Sequence, residues 1–331
     1  MTKVSIIGAG NFGYALTYHL ARKKKANFDL FLYDHRLETI NYIRNNRTHP
    51  KFFPLIELPP QVELVDNLPN LIDDCDVLIL AMVSTALESV LAQIKPLITK
   101  KLRIVSVMKA LDDDTGAPLS QVIEEALFNL PVSISVLAGG TTGLGLTQEE
   151  YLGATLAAPD EDKHLLQTIL GSEYLRIQLT DDVLGVQYAS SFKNLISVVV
   201  GILKGLGFEY GTQTHALSLI AHECEKLALT FGAQPSTFSL GSQCWGNDMV
   251  MSATGNTRNQ QLGLMLGEGV KFSTAIAEMK EAGKTAESVN TLAILGKIAD
   301  LSHYPLLNFL EKLYKNQVEV HQIVKVIENY S

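Results

Sequence analysis

The stretch Lys3-Val4-Ser5-Ile6-Ile7-Gly8-Ala9-Gly10-Asn11-Phe12-Gly13 decides the fold class. An apolar, β-branched run enters a glycine-rich turn, and a helical period then runs over residues 11–24. Strand, turn and helix in that order open a βαβ unit. Gly8 permits the tight turn, Gly10 lets a pyrophosphate approach the backbone, and Gly13 lets the helix pack against the strand. Unpaired N–H groups at the helix start carry partial positive charge and suit phosphates. A second strand is predicted over residues 28–34, and its last residue, Asp34, stands about 20 residues beyond Gly13. An acidic side chain there accepts hydrogen bonds from an adenosine ribose, so Gly8, Gly10, Gly13 and Asp34 are candidate residues for NAD or NADP. Asp34 repels a 2′-phosphate and leans the reading to NAD; His35 and Arg36 beside it would instead receive that phosphate.

Outward from this unit, short apolar or β-branched runs continue at residues 61–65, 76–82, 103–108 and 133–137, with helical stretches such as 85–94 and 119–128 between them. Strands alternating with helices predict an α/β doubly wound parallel sheet. Residues 48–60 mix prolines and aromatics without a period and read as a loop beside a ligand cleft. After Asp181 the strand signals stop, and residues 183–203, 214–231, 273–279 and 286–301 carry helical periodicity. A chain of 331 residues exceeds what one core usually serves. The expected organisation is a Rossmann domain over residues 1–181 and an all-helical domain for substrate binding and catalysis over residues 182–331.

Composition narrows the function classes. Hydrophobic residues at 47% and charged residues at 19% give a globular rather than a disordered balance. A net charge of -8 repels polyphosphate backbones, which argues against a nucleic-acid partner. Cys75, Cys224 and Cys244 lack CxxC or Cys/His spacing and suit a reducing cytoplasm better than a disulfide framework. His215 and His222 share a helical spacing but have no third ligand nearby, so no metal is expected. The first residues show no signal-peptide cleavage site or Arg-rich presequence, and no run of about 20 uninterrupted apolar residues spans a bilayer. A cytoplasmic protein without integral membrane contact is the expectation.

The candidate chemistry lies in the second half. Gly185, Ala189, Lys193, Ser197, Gly201 and Gly205 form one i, i+4 ridge whose small members suit close packing against another element. Lys193 interrupts it. Burial there would lower its pKa toward the acid–base range, whereas a snorkelling side chain would keep its charge in water. Asn194 beside it offers a donor and an acceptor. Lys109 ends the strand at 103–108, where doubly wound sheets gather ligands. Thr257-Arg258-Asn259 precedes a helical stretch, so Arg258 either grips a phosphate bidentately or is an exposed turn arginine. Asp248 either accepts substrate hydroxyls or caps a helix. Residues 249–266, with Ser252, Gly255 and Asn256, read as a functional loop leading into a helix.

Together these residues resemble the NAD(P)-dependent glycerol-3-phosphate dehydrogenase family. The likeness runs from Gly8–Gly13 through Asp182-Val183-Leu184-Gly185-Val186, Phe192-Lys193-Asn194 and Thr257-Arg258-Asn259 to Glu287, and Val107-Met108-Lys109 falls at the family's T-K-G lysine. It implies hydride exchange between a nicotinamide and a small phosphorylated three-carbon substrate, and allows a homodimer. Lys193 would be the proton donor and acceptor, and Lys109 would contact substrate and nicotinamide. Asp248 would hold substrate hydroxyls and Arg258 with Asn259 the phosphate, while Thr141, Asn194, Ser252 and Thr257 join the substrate set. Asn11, Phe12, His35, Gly143, Arg258 and Glu287 would contact the dinucleotide. Four departures stand out: Ala110 replaces a glycine, Gly139–Gly145 lacks the family's proline, aromatic and acid, Leu240–Asp248 differs in length and contains Trp245, and Gln187 replaces an acid. Two competing readings are a reductase of another small 2-oxo or 2-hydroxy acid, with Arg258 clamping a carboxylate, and a non-catalytic NAD-binding homologue. Retention of both Lys109 and Lys193 argues for an enzyme.

Overall fold

Val77–Leu80 is apolar and buried at every position, as a strand covered on both faces of a parallel sheet must be. The structure, a computed structural model, describes residues 1–24 and 27–330. Among these, the strands are β1 (Thr2–Ile7), β2 (Phe28–Tyr33), β3 (Val62–Val65), β4 (Val77–Leu80), β5 (Leu102–Ser106), β6 (Val132–Gly140), β7 (Leu152–Ala157) and β8 (Leu175–Thr180). They form one sheet in the order β3-β2-β1-β4-β5-β6-β7-β8. The order reverses between β1 and β4, which opens a crevice at the carboxyl end of β1, where the glycine turn sits.

The doubly wound reading holds, with one departure from an all-parallel sheet: β6 and β7 pair antiparallel. The connection between them carries only the five-residue helix Gly143–Thr147, too little for a parallel crossover, which needs a dozen or more residues. Gly139 makes the close pairing feasible, because a Cβ there would lie 2.6 Å from the Cα of Ala154. β7 and β8 were not anticipated: Leu152–Ala157 is built largely from small residues, whereas Leu175–Thr180 alternates apolar and polar side chains, a strand signal that was passed over.

The first helix, Asn11–Ala21, ends before the predicted residue 24. Lys23 turns aside to donate its ammonium to the carbonyls of Thr168 and Ile169, at the end of the helix Asp160–Leu170. Residues 48–60 are held by Tyr14, whose ring stacks on Phe53 at 5.7 Å and meets His49 edge-on. The Tyr14 hydroxyl also reaches the Ile56 carbonyl at 2.6 Å.

From Val183 onward the described residues form helices and turns with no strand. The helix Val183–Gly205 is long and apolar enough by length and composition to cross a membrane, yet its apolar window is wholly buried within the fold. The small ridge does serve close packing. A Cβ at Gly201 would lie 2.3 Å from the Gln260 carbonyl oxygen, and one at Gly263 would lie 2.2 Å from that of Val198. Gly205 and Gly267 repeat the arrangement one turn on, so the helices Val183–Gly205 and Arg258–Gly267 touch backbone to backbone. Of residues 249–266, expected as a loop leading into a helix, 249–254 are helical (Asp248–Thr254), only 255–257 form a link, and the helix that follows is Arg258–Gly267. Gly263 answers to tight packing, whereas Gly255 lies in the link between the two helices. The predicted helices at 273–279 and 286–301 appear as Phe272–Glu281 and Ser288–Ile298. Pro305–Tyr314 was not anticipated; buried Glu223 caps it, accepting from the N–H groups of Leu306 and Leu307.

The chain divides into two compact units, Met1–Met108 with Leu119–Val186, and Lys109–Pro118 with Gln187–Ser331. The short segment Lys109–Pro118 belongs with the helices because Gly116 packs against the Ile298 side chain and Asp113 accepts from the Asn290 amide at 3.0 Å.

Candidate active site

In the first unit the glycine turn has the shape a dinucleotide needs. Gly8 sits at φ +110, and a Cβ there would lie 2.4 Å from the Ala81 carbonyl oxygen. A Cβ at Gly13 would lie 1.9 Å from the Gly8 carbonyl oxygen, so only glycine lets the helix start this close to β1. At Gly10 a Cβ would meet nothing, and no side chain caps the helix that follows. Open space in front of uncapped helix-start N–H groups fits a pyrophosphate. Gly143 lies against Asn11, whose side-chain oxygen would be 2.1 Å from a Cβ at 143. Asn11 is exposed, Phe12 half-buried, and Thr141 buried just beyond β6.

Asp34 is buried and fully engaged. Its carboxylate accepts from the Ala9 N–H at 2.8 Å and the Arg36 N–H at 2.9 Å, and from the Arg36 guanidinium at 2.8 and 3.0 Å. Burial pushes its carboxyl up, but the Arg36 and Ala9 hydrogen bonds outweigh that and hold it below the usual carboxylate range. Arg36, read from sequence as a phosphate receptor, is thus the counter-ion of the acid beside it. His35 is exposed, 3.4 Å from Asp34.

The second unit gathers the proposed chemistry. Lys193 does not snorkel: it is buried, and its ammonium donates to Asp248 Oδ1 at 2.8 Å and to the Ser252 hydroxyl at 3.0 Å. Lys109 reaches the other oxygen, Asp248 Oδ2, at 3.1 Å. One fully buried carboxylate therefore bridges two ammonium groups. Burial lowers the Lys193 pKa and Lys109 lowers it further, against the opposing pull of Asp248 and Glu287. Asp248 opens the helix Asp248–Thr254 with its carboxylate on the two lysines. Ser197, one turn past Lys193, donates to the Ser252 carbonyl at 3.0 Å and locks the two helices in register.

A second network adjoins this one. The Asn194 amide donates to Glu287 at 3.3 Å and accepts from Asn259 at 2.9 Å, while Asn259 accepts from the Ser288 N–H at 3.0 Å. Asn259 is buried with both ends of its amide engaged, so it holds Asn194 in place. Thr257 caps the helix Arg258–Gly267 by accepting from the Gln260 N–H. Arg258 is exposed on one side and pairs with Glu287 at 3.2 Å. The pairing of Lys109 with Asp248 had no sequence signal, because the residues are 139 positions apart.

Residues 3–164 match the model of the NAD-dependent glycerol-3-phosphate dehydrogenase N-terminus, and residues 182–325 match that of the C-terminus. The chain belongs to this family. Among its relatives, a glycerol-3-phosphate dehydrogenase (NAD(P)+) of Geobacter sulfurreducens is 32% identical over 297 residues, covering 88% of this chain and 87% of the relative. One from Maridesulfovibrio salexigens is 32% identical over 296 residues, with 88% of each covered. The fold is shared with the glycerol-3-phosphate dehydrogenase structure of Plasmodium falciparum, at a TM-score of 0.90 and 20% identity over 100% of this chain and 96% of that one.

Proposed function

We propose that the chain interconverts glycerol 3-phosphate and dihydroxyacetone phosphate, with Lys193 as proton donor and acceptor and with NAD preferred over NADP. The observation that carries the reading is the buried Asp248 carboxylate between the Lys193 and Lys109 ammonium groups. With both lysines protonated the cluster keeps one net positive charge. That charge suits an oxygen that becomes negative as its carbonyl is reduced. Bound at the glycine turn, NAD(P) supplies or accepts the hydride. In reduction Lys193 gives its proton to the C2 oxygen while Lys109 stabilises the charge growing there. In oxidation the neutral amine takes the hydroxyl proton, a role that its burial-lowered pKa makes accessible. Asp248 keeps the two cations together and orients the substrate hydroxyls.

Arg258 is the phosphate anchor in this reading, with Glu287 holding the guanidinium ready until a phosphate takes its place. Because the phosphate does not react, Arg258→Ala should raise the KM for dihydroxyacetone phosphate about 10- to 100-fold, with kcat within a few-fold of wild type. An unchanged KM in steady-state assays excludes that anchor. Substrate class is tested by following NADH oxidation with dihydroxyacetone phosphate against unphosphorylated dihydroxyacetone. The phosphorylated compound should win by at least about 100-fold in kcat/KM, and equal turnover defeats the assignment.

The NAD preference rests on Asp34 and Arg36. A 2′-phosphate would meet a buried carboxylate whose arginine partner is already neutralised. Asp34→Ala releases Arg36, and the ratio of kcat/KM with NADPH to that with NADH should rise about 10-fold or more. Loss of the Ala9 contact weakens both cofactors alike and cancels in the ratio. No rise shows that Asp34 does not set the preference. Residence in the cytoplasm accords with Cys75, Cys224 and Cys244, all buried free thiols suited to a reducing compartment.

A further inference from the structure

Asp248 must present one oxygen to each of two lysines that arrive from different segments, Lys193 from the long helix and Lys109 from the segment Lys109–Pro118. Its side-chain direction is set by how the chain enters the helix Asp248–Thr254. The residues before it, Gln243–Asn247, form a π-helical turn, in which the Asn247 N–H reaches back five residues to the Ser242 carbonyl at 3.1 Å. Such a turn absorbs one residue more than an α-turn does. Each residue of an α-helix advances the side chain by about 100°, so an ordinary α-turn here would swing position 248 away from the lysines.

Three residues favour the wide turn. Trp245 is buried and packs edge-on against Phe238, with ring centres 5.0 Å apart. Gly246 lies flat on the Leu240 peptide, where a Cβ would be 2.0 Å from the carbonyl oxygen. The Asn247 amide donates across the turn to Gln243 Oε1 at 2.8 Å. This is the segment whose length and tryptophan depart from the family resemblance. We propose that Trp245, Gly246 and Asn247 are positioning residues for the reaction, their π-turn aiming Asp248 at Lys193 and Lys109 together; the inference rests on the function proposed above.

The groups facing the Lys193 amine are Lys109, Asp248 and Ser252, with Glu287 acting at longer range. Of these, Asp248 and Ser252 lie on the helix that the turn directs. Turning Asp248 aside withdraws its support for the ammonium, so the pH above which reduction fails must move down. Gly246→Ala should lower kcat for dihydroxyacetone phosphate reduction about 30-fold or more and shift the alkaline limb of kcat down by about half a pH unit or more, with the KM for NADH unchanged. Asn247→Ala, a milder change that keeps the fold testable, should act in the same direction by about 3- to 10-fold. Trp245→Phe retains a ring against Phe238 and should keep kcat within about threefold of wild type. If Gly246→Ala and Asn247→Ala lower the Tm while kcat and its pH profile stay as in wild type, the turn is merely structural and the inference is overturned. Lys193→Ala belongs in the same series. If it is inactive, the other variants judge the turn alone; if it turns over like wild type, the proton-transfer reading and the inference fall together.

Discussion

Lys193→Ala is expected to lower kcat for dihydroxyacetone phosphate reduction by about 1,000-fold or more, with the circular dichroism spectrum and unfolding transition of a folded protein. General acid–base groups contribute about 100- to 10,000-fold, and Lys193 is the buried amine at the centre of the cluster. The fold survives because the change removes a desolvated charge without stranding its partner: Asp248 keeps Lys109 at 3.1 Å. Lys193→Met, which fills most of the vacated space, separates the loss of the amine from the effect of a cavity. Turnover close to wild type in either variant removes Lys193 from the mechanism.

Asp248→Asn should be the more damaging substitution for the fold. It leaves the Lys193 and Lys109 ammonium groups facing each other with no carboxylate between them. Removing one partner of a buried ion pair costs about 3–5 kcal/mol, readable as a fall in the urea midpoint. The Lys193 pKa, already lowered by burial and by Lys109, loses its main opposing support and falls further. The sign of the kinetic effect follows from the two directions. Reduction needs the protonated amine, so its alkaline limb moves to lower pH and its rate at neutral pH drops by about 100-fold or more. Oxidation needs the neutral amine, so its acid limb moves the same way and its rate at neutral pH suffers less. Equal losses in both directions, with both limbs unmoved, would show that Asp248 does not govern the charge of Lys193.

The parts of the fold and site that could be read from sequence are those written in local periods. The glycine turn after β1 was legible because a strand, three spaced glycines and a helix follow one another without interruption. The small ridge on the helix Val183–Gly205 was legible for the same reason, and Gly201 and Gly205 do meet another helix backbone. What the ridge could not decide was the fate of Lys193. Burial won because Asp248 and Ser252, more than fifty residues away, supply the partners that a buried ammonium requires. The same spacing hid the Lys109 contact. Residues 249–254 misled because small and polar residues such as Ser252 serve both loops and packed helices. Arg36 was read as open to a phosphate because its partner Asp34 had already been given to a ribose, although the two residues form their own ion pair.

The proton-transfer assignment is tested most directly by single-turnover rates of dihydroxyacetone phosphate reduction and glycerol 3-phosphate oxidation, measured across pH with bound cofactor. If Lys193 carries the proton, reduction falls and oxidation rises through one shared pKa below 10.5, the ordinary lysine value, and both limbs vanish in Lys193→Ala. Two rates that titrate with different groups, or limbs that persist without the lysine, contradict it.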